Sequence, residues 1–261
     1  MLAYRLFYSE MAIPILMYHQ VDAPAPRGSP LRGLIVSPAA FRRQMNMLKV
    51  LGYRGLSMGA LQPYLRGEKQ GKVVGITLDD GYLNNLRHAL PALQEFGFSA
   101  TCYVVANAIG GSNAWDHAKG IAPKPLMDAA QLRQWVAGGH EVGAHGCDHV
   151  DLRSLTASQA QQQIGGCRQT IEDACGAPVR HFCYPYGSYA PEHVGMVAQA
   201  GFATATTTRR GRGFASVDTS ADAPATQFLE LPRVPVWGAT TLPALWLKIA
   251  TAYEDRKGAR G

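Results

Sequence analysis

Short apolar runs that alternate with helical patterns constrain this chain more than any other feature. In the segments between the runs, apolar residues recur every three or four positions, as they do along one face of a helix. Strands that alternate with helices form βαβ units, and the strands of such units pair in parallel. The pattern therefore favours either an open doubly wound sheet or a (β/α) barrel. The predicted strands are 13–18, 73–78, 100–105, 141–144, 180–183 and 202–207.

Three of the predicted helices have boundaries that the sequence marks clearly. Ser37 and Pro38 supply an N-cap and a first-turn proline for one helix. Thr156 caps a second helix, a long one that we expect to extend to about Ala174. Residues 242–253 form a terminal amphipathic helix, and we expect its apolar face to pack on the core.

Composition points to a single ordinary globular domain. The chain has 261 residues, 47% of them hydrophobic, which is enough for one full core. Five cysteines without a CxxC pair argue against a disulfide framework and against a thiolate zinc site. The net charge of +6 is compatible with an anionic substrate or a membrane surface, and it does not indicate nucleic acid.

The two ends of the chain carry expectations about organisation and location. We expect an N-terminal extension at 1–12, one domain at 13–240, and an amphipathic helix and tail at 241–261. Both Met1 and Met11 are candidate starts. Neither a run of about 18 apolar residues nor a signal-peptide pattern is visible, which favours a cytoplasmic protein. The terminal helix is compatible with peripheral association at the inner membrane.

Every candidate for chemistry comes directly after a predicted strand. His19, the pair Asp79 and Asp80, and the pair His145 and His149 each follow one. The carboxyl ends of parallel strands meet at one rim of a barrel or sheet, and active sites lie there. We therefore expect these side chains to converge.

The two neighbouring aspartates need a special backbone to act together. Adjacent side chains on a strand point to opposite faces, so Asp79 and Asp80 face one pocket only if the chain turns. Gly81 permits such a turn through a positive φ. Two close carboxylates also favour a cation between them. An isolated Asp-Asp-Gly is otherwise a plain turn.

His145 and His149 are spaced so that a helical turn would bring both imidazoles to one side. A lone HxxxH is weak, because surface helices produce it by chance. Together with an aspartate, the two histidines make a two-histidine, one-carboxylate set. That set leaves coordination positions open, as in catalytic rather than structural metal sites.

Three motifs taken in order resemble a known family. They are 77–81 (TLDDG), 145–149 (HGCDH) and 182–187 (FCYPYG). Their order and spacing are similar to those of the polysaccharide deacetylases, the NodB-homology group of carbohydrate esterase family 4. The resemblance extends from Ile13 to about Val236, so that residues 13–240 would be a NodB-homology domain. It implies an α/β fold, a distorted (β/α)7 barrel.

The resemblance also implies roles for the matching residues. Asp79 would be the general base, and Asp80, His145 and His149 would bind a divalent metal. That metal is usually Zn²⁺ in the family and sometimes Co²⁺, Ni²⁺ or Fe²⁺. The backbone N–H of Tyr186 would stabilise the oxyanion that forms when water attacks an acetamide carbonyl.

The usual proton donor of the family is missing. Most members take it from a Leu-x-His motif near the C-terminus, but no histidine follows His193 in this sequence. The segment 17–21 (MYHQV) resembles the N-terminal motif of the subgroup that deacetylates poly-N-acetylglucosamine, in which the histidine is the acid. We therefore predict His19 as the acid; the alternative is a histidine with a purely structural role at a strand end.

Two further positions depart from the family pattern. Gly146 stands where a hydroxyl residue is usual, and Cys183 stands where an arginine normally holds the base aspartate. Arg233 is our candidate to orient Asp79 instead, because the strand-like segment 231–234 can return to the same rim.

The predicted function is removal of N-acetyl groups from amino-sugar units of a polysaccharide or a glycolipid precursor. Trp115, on the long loop 106–127, and Tyr186 are candidates to contact a sugar ring, although a lone tryptophan is often a core residue. Two alternatives stay open. One is O-deacetylation of a polysaccharide, which shares the same machinery. The other is a non-catalytic glycan-binding relative.

Overall fold

Seven parallel strands close into a barrel in the computed structural model of this chain, which describes residues 12–213 and 226–259. Most of the predicted N-terminal extension therefore lies outside the described residues. The strands are β1 (Ile15–Tyr18), β2 (Gln20–Val21), β3 (Ile35–Val36), β4 (Arg54–Leu56), β5 (Val73–Leu78), β6 (Thr101–Val104), β7 (Glu141–Ala144), β8 (His181–Cys183), β9 (Thr204–Arg210) and β10 (Leu231–Pro235).

The ring runs through β1, β5, β6, β7, β8, β9 and β10 and returns to β1, and all of its pairs are parallel. β4 lies outside the ring and pairs with the first half of β5. β2 and β3 form a separate parallel pair. The barrel is thus confirmed and the doubly wound alternative is wrong, because an open sheet ends in two edge strands, whereas here β1 joins β10 to β5 and closes the ring.

Helices follow most of the strands and cover the outside of the barrel. A π-helical turn at 85–89 leads directly into the third of them. The helices are α1 (Pro38–Val50), α2 (Met58–Leu65), α3 (Leu90–Phe96), α4 (Ala129–Ala137), α5 (Ala157–Gly165), α6 (Cys167–Cys175), α7 (Pro191–Gln199), α8 (Leu242–Ala250) and α9 (Tyr253–Gly258).

Alternate residues of each strand face either the helices or the barrel interior, as the period of a strand requires. One large buried cluster lies between strands and helices. A second cluster combines inward residues such as Ile15 and Tyr103 with the apolar face of α2. The N–H groups of Met58 and Gly59 bond to Thr101 and Glu141, the first residues of β6 and β7. α2 therefore closes the amino-terminal end of the barrel.

The same alternation carries polar residues to the open end. Ile15 faces inward on β1, and His19 continues that side. On β5, Val73 faces inward, and Asp79 has the same parity. On β10, Leu231 is inward and Arg233 follows two positions later.

Sequence patterns located most elements but missed several, including the short strands β2 and β3. The strands at 73–78 and 141–144 have the predicted bounds. The long helix predicted from Thr156 to about Ala174 is divided at Gly166 into α5 and α6. Adjacent glycines are poor helix formers and common at kinks. β4 and α2 were not predicted, because β4 is short and α2 contains Pro63.

The terminal segment forms two helices rather than the single predicted one. α8 buries Leu245 and Ile249 against the core, as expected. Thr251 then takes an extended conformation, and α9 follows. Within the described ranges no helix has the length and apolar character needed to cross a bilayer.

Candidate active site at the carboxyl end of the barrel

The Asp79 carboxylate lies at the end of β5 and is held by Arg233 of β10. Arg233 Nη1 donates to Asp79 Oδ1 at 2.7 Å, and Nη2 donates to Oδ2 at 2.8 Å. Both side chains are buried. Burial alone would raise the pKa of Asp79, but the charge and hydrogen bonds of Arg233 outweigh it and hold the pKa below its usual value. Asp79 is therefore ionised and fixed in orientation.

The guanidinium of Arg233 is itself enclosed by partners. Its Nη1 donates to Thr77 Oγ1 at 3.0 Å and its Nε to the Thr207 carbonyl at 2.8 Å. Its Nη2 lies 3.2 Å from Cys183 Sγ. Sequence reasoning missed Thr77 and Thr207, whose only signal is that polar residues stand inside an apolar strand pattern.

Asp80 turns out of the strand by an uncommon backbone conformation. Its φ is 73°, and Gly81 follows with a φ of 79°. We expected the positive φ at Gly81; Asp80 also adopts one, which non-glycine residues do rarely and mainly at functional sites. The result is that Asp79 faces Arg233 while Asp80 faces the two histidines.

His145 and His149 converge on Asp80 from a loop. Their Nε2 atoms lie 3.4 Å and 3.3 Å from Asp80 Oδ1. The helical turn that we expected between them is wrong. Residues 145–149 form an irregular loop in which Gly146 and His149 have φ values of 79° and 54°. Any residue other than glycine would be strained at position 146 with this φ. This strain accounts for the absence of a hydroxyl residue there.

The three side chains fit a divalent metal. Asp80, His145 and His149 each offer one ligand atom, and these atoms lie within 4.8 Å of one another. Ligand atoms about 2.0–2.2 Å from a tetrahedral zinc ion are separated by roughly 3.3–3.6 Å, close to the distances of the two Nε2 atoms from Asp80 Oδ1. Two imidazoles and one carboxylate are also the donor set of catalytic zinc sites.

Burial opposes a charge on both histidines, and they respond differently. At His145 the contact with Cys183, the hydrogen bond to Asp80 and the nearby Asp79 carboxylate outweigh burial and raise the pKa well above the usual value. At His149 burial prevails and lowers the pKa.

A second set of donors, Asp79, His145 and Cys183, is also close enough to bind a cation. Arg233 Nη2, however, contacts both Asp79 Oδ2 and Cys183 Sγ. A cation between those atoms would meet the guanidinium, so the set around Asp80 is the better metal site.

His19 stands beside Asp79 on the side of the solvent. Its Nε2 lies 3.9 Å from Asp79 Oδ2, beyond hydrogen-bonding distance, and its side chain is 18% exposed. The ring therefore lines the cleft in which Asp79 and the histidine pair are accessible.

Aromatic rings form the opposite wall. The Trp115 indole is stacked on the His149 imidazole with 4.5 Å between centroids, and the half-exposed Tyr186 ring meets the same imidazole edge-on at 4.4 Å. Lys119, which sequence reasoning missed, lies 4.9 Å from the Tyr186 ring and bonds to buried Asp116. Lys119 and Asp116 are on the predicted long loop, but nothing in their spacing marks them.

Two clefts meet at this wall. The catalytic cleft has a volume of about 140 Å³, and its lining includes His19, both aspartates and the two histidines that face Asp80. A neighbouring cleft of about 630 Å³ shares with it only Trp115, His149 and Tyr186. Leu31 and Leu34 line the catalytic cleft and were not predicted.

Comparison with known proteins places this arrangement in a family. The sequence model of the polysaccharide deacetylase family matches residues 66–205, more than half of the chain. The chain belongs to the polysaccharide deacetylase family. The chain is similar to YxkH, a putative polysaccharide deacetylase of Bacillus subtilis, with 27% identity over 201 residues that cover 76% of this chain and 65% of that protein. The matched residues thus span slightly less than two thirds of this relative.

Two further likenesses concern smaller or structural matches. A chitooligosaccharide deacetylase of Azorhizobium caulinodans is 33% identical over 70 residues, which cover 26% of this chain and 33% of that protein. The crystal structure of BC0361, a polysaccharide deacetylase from Bacillus cereus, superposes with a TM-score of 0.75 at 26% identity and covers 92% of this chain and 69% of that one. The (β/α)7 barrel is the fold of these deacetylases.

Proposed function

We propose that this polysaccharide deacetylase removes N-acetyl groups from amino-sugar units of a polysaccharide or glycolipid precursor, with Zn²⁺ as its metal. The observation that carries the proposal is the division at the barrel rim. The candidate ligand atoms of Asp80, His145 and His149 lie within 4.8 Å of one another. Asp79, one residue away from Asp80, is held apart from them by Arg233.

Asp80, His145 and His149 would hold the ion. A divalent ion bound there lowers the pKa of a coordinated water and polarises the carbonyl that is attacked. The chain's own contribution is to leave coordination positions open towards the cleft and to keep both imidazoles directed at Asp80.

Asp79 is the proposed general base. Its Oδ2 faces the cleft and His19, while Arg233 fixes the carboxylate plane. An ionised carboxylate so oriented accepts the proton of the attacking water without first reorganising. Arg233 is the proposed orienting residue and takes the place of the family arginine that Cys183 replaces.

His19 is the proposed acid. An amide nitrogen is a poor leaving group unless it is protonated as the C–N bond breaks, so a proton donor must line the cleft within reach of that nitrogen. The place of His19 beside Asp79 supports this role, as does its likeness to the subgroup motif at 17–21.

Tyr186 and Trp115 would border the acetylated sugar. The Tyr186 backbone has a φ of 57°, a conformation imposed by the turn at 185–187. We propose that its N–H supports the oxyanion and that the two aromatic side chains limit how the sugar enters.

The N-acetyl substrate is supported by the chitooligosaccharide deacetylase among the relatives. Acetate release tests it, with chitooligosaccharides, acetylated xylan and a lipid-linked N-acetylhexosamine as substrates for the zinc-loaded protein. The proposal expects acetate and a free amine from an N-acetylated substrate. Release from xylan alone would favour the O-deacetylase alternative. A purified protein that binds no divalent metal and releases no acetate would favour the glycan-binding one.

The organisation of the chain remains a proposal too. We propose residues 13–240 as the deacetylase domain and 241–261 as a C-terminal amphipathic helix and tail with peripheral attachment to an anionic inner-membrane surface. Flotation of the full chain with vesicles that contain anionic lipid tests the attachment. Equal flotation with vesicles of neutral lipid alone would contradict attachment to an anionic surface.

A further inference from the structure

The two histidines of the proposed metal site are oriented by different means. His145 Nδ1 lies 2.8 Å from the Cys183 carbonyl oxygen, a hydrogen bond that fixes the ring. His149 Nδ1 is buried and has no hydrogen-bond partner among the residues that the structure describes. Histidines that bind metals normally donate their second N–H to a carboxylate, a carbonyl or water, and this donation sets the ring orientation. At His149 the orientation must come from another contact.

That contact is aromatic. The Trp115 indole covers one face of the His149 imidazole, with centroids 4.5 Å apart and planes 25° apart. The Tyr186 ring meets the imidazole at 4.4 Å and 71°. Stacked and edge-to-face pairs at these distances are attractive and restrict rotation of the enclosed ring.

The segment that carries Trp115 is held in place by buried polar groups. Asn113 is fully buried, accepts the Lys124 N–H at 2.7 Å and contacts Asp116 at 3.4 Å. Asp116 in turn accepts from Lys119 at 3.0 Å. The polar residues on both sides of Trp115 thus fix the segment that presents the indole to His149.

We infer that Trp115 is a positioning residue of the metal site, whose indole holds the His149 ring at its ligating angle in place of a hydrogen bond. The inference rests on the proposed metal-dependent function. With the ring fixed, His149 Nε2 stays 3.3 Å from Asp80 Oδ1 before any ion binds. The site is then preorganised, and binding does not have to restrict the imidazole.

The positioning role of Trp115 can be distinguished by experiment from stacking on a sugar ring of the substrate. A residue that only stacks on the substrate changes KM and leaves metal affinity intact. A residue that positions His149 changes metal affinity in protein that has never met substrate. One face of the Trp115 indole is already covered by His149, which favours the second role.

The test is zinc affinity of the full-length apoprotein, measured by competition with a chromogenic chelator in the absence of substrate. Trp115→Leu removes the stacking and should weaken zinc binding about 10- to 100-fold, the usual effect of losing the group that orients a ligand. Trp115→Phe keeps a stacked ring and should bind nearly as tightly as wild type. Trp246→Leu, at a 47% exposed tryptophan on α8, is the matched control and should leave affinity unchanged.

A double-mutant cycle separates positioning from a general structural effect. In the His149→Asp background a ligand remains but the imidazole is absent, so Trp115→Leu should cause no further loss of zinc affinity. An equal loss in both backgrounds would overturn the inference. So would wild-type affinity in Trp115→Leu, and in that case the proposed function would stand. If wild type itself bound no metal, the proposed function and the inference would fail together. Should Trp115→Leu not fold, Trp115→Met takes its place in the cycle.

Discussion

Both ends of the barrel interior contain polar side chains, but only one end contains buried charges that face a cleft. At the amino-terminal end, Glu141 accepts hydrogen bonds from Thr101 at 3.0 Å and Gly59 at 2.9 Å, under the cover of α2. His181 bonds to Thr204 at 2.8 Å. At the carboxyl end, Asp79 is paired with Arg233, and Asp80 meets two imidazoles beneath an open cleft.

The difference shows that the two ends of one barrel can serve different purposes, one for stability and the other for binding and reaction. The amino end uses polar groups that satisfy one another and are sealed by a helix. At the carboxyl end, charged side chains face the cleft and can interact with a further partner there. The backbone at this end has a positive φ at Asp80 and at His149. Such conformations persist where the surrounding fold imposes them, and the rigid strands below supply that support. Substitutions at the carboxyl end should therefore alter turnover and metal affinity. Substitutions at the amino end should alter the free energy of unfolding.

The largest expected effect is at the metal site. Asp80→Asn removes the only carboxylate of the proposed ligand set, and we expect loss of bound zinc and of acetate release down to background. Metal content after dialysis and acetate assays measure both. Glu141→Gln, at the other end of the barrel, is the matched carboxylate control and should retain metal and turnover. Retention of zinc by Asp80→Asn would contradict the role of Asp80 as a metal ligand.

Asp79→Asn should separate the two aspartates. We expect kcat to fall about 10²- to 10⁴-fold, the range for loss of a general base, while zinc affinity stays close to wild type. The same chelator competition and acetate assays apply. Should Asp79→Asn lose metal as fully as Asp80→Asn, the two carboxylates would share one role.

His19→Gln should depend on the leaving group. We expect about a 10²-fold loss of kcat on an N-acetyl substrate, because the amine needs a proton to depart. On an aryl acetate, whose phenolate leaves without protonation, the loss should be far smaller. An equal loss on both substrates would contradict the role of His19 as the acid.

Arg233→Ala should affect both reaction and stability. Its loss leaves the buried Asp79 unpaired, which should cost about 3–5 kcal/mol in the free energy of unfolding. Turnover should fall about 10- to 100-fold, and zinc affinity much less, since Arg233 does not contact Asp80 or the histidines. Urea unfolding and steady-state kinetics measure the two effects. Arg233→Lys keeps the charge without the paired hydrogen bonds and should recover stability more than turnover. Wild-type turnover in Arg233→Ala would remove Arg233 from the account.

The smallest effect on activity should come from a substitution at the amino-terminal end of the barrel, which α2 closes. Burial lowers the pKa of His181 from 6.5 to about 4. The unfolded chain therefore binds a proton that the folded chain does not between these values. Stability from this group is full above about pH 6.5 and falls as the pH drops towards 4, by at most about 1.4 kcal/mol per pH unit. His181→Gln should flatten this slope in urea unfolding at several pH values and leave kcat unchanged. An unchanged slope would contradict a buried neutral His181.

Sequence was most informative where one local pattern sufficed. Strand runs and the residues directly after them predicted the rim at which Asp79, Asp80, His145 and His149 meet, because parallel strands bring their carboxyl ends together. Arg233 was a candidate from its place in a late strand-like segment, and it does contact Asp79 although 154 positions separate them.

Other features depend on tertiary contacts that no local pattern records. The irregular loop at 145–149 replaces the predicted helical turn, since two residues with positive φ interrupt it. The stacking of Trp115 on His149 and the contact of Lys119 with Tyr186 join distant loops. Nothing in the spacing of these residues marks them as neighbours.

One measurement tests the central claim most directly: acetate release from an N-acetylated chitooligosaccharide by apoprotein, as zinc is added in steps. We expect no release without metal and a rise that saturates at one equivalent. We also expect that Asp80→Asn stays at background throughout the titration. Release that is independent of metal, or its absence although one equivalent is bound, would contradict the account.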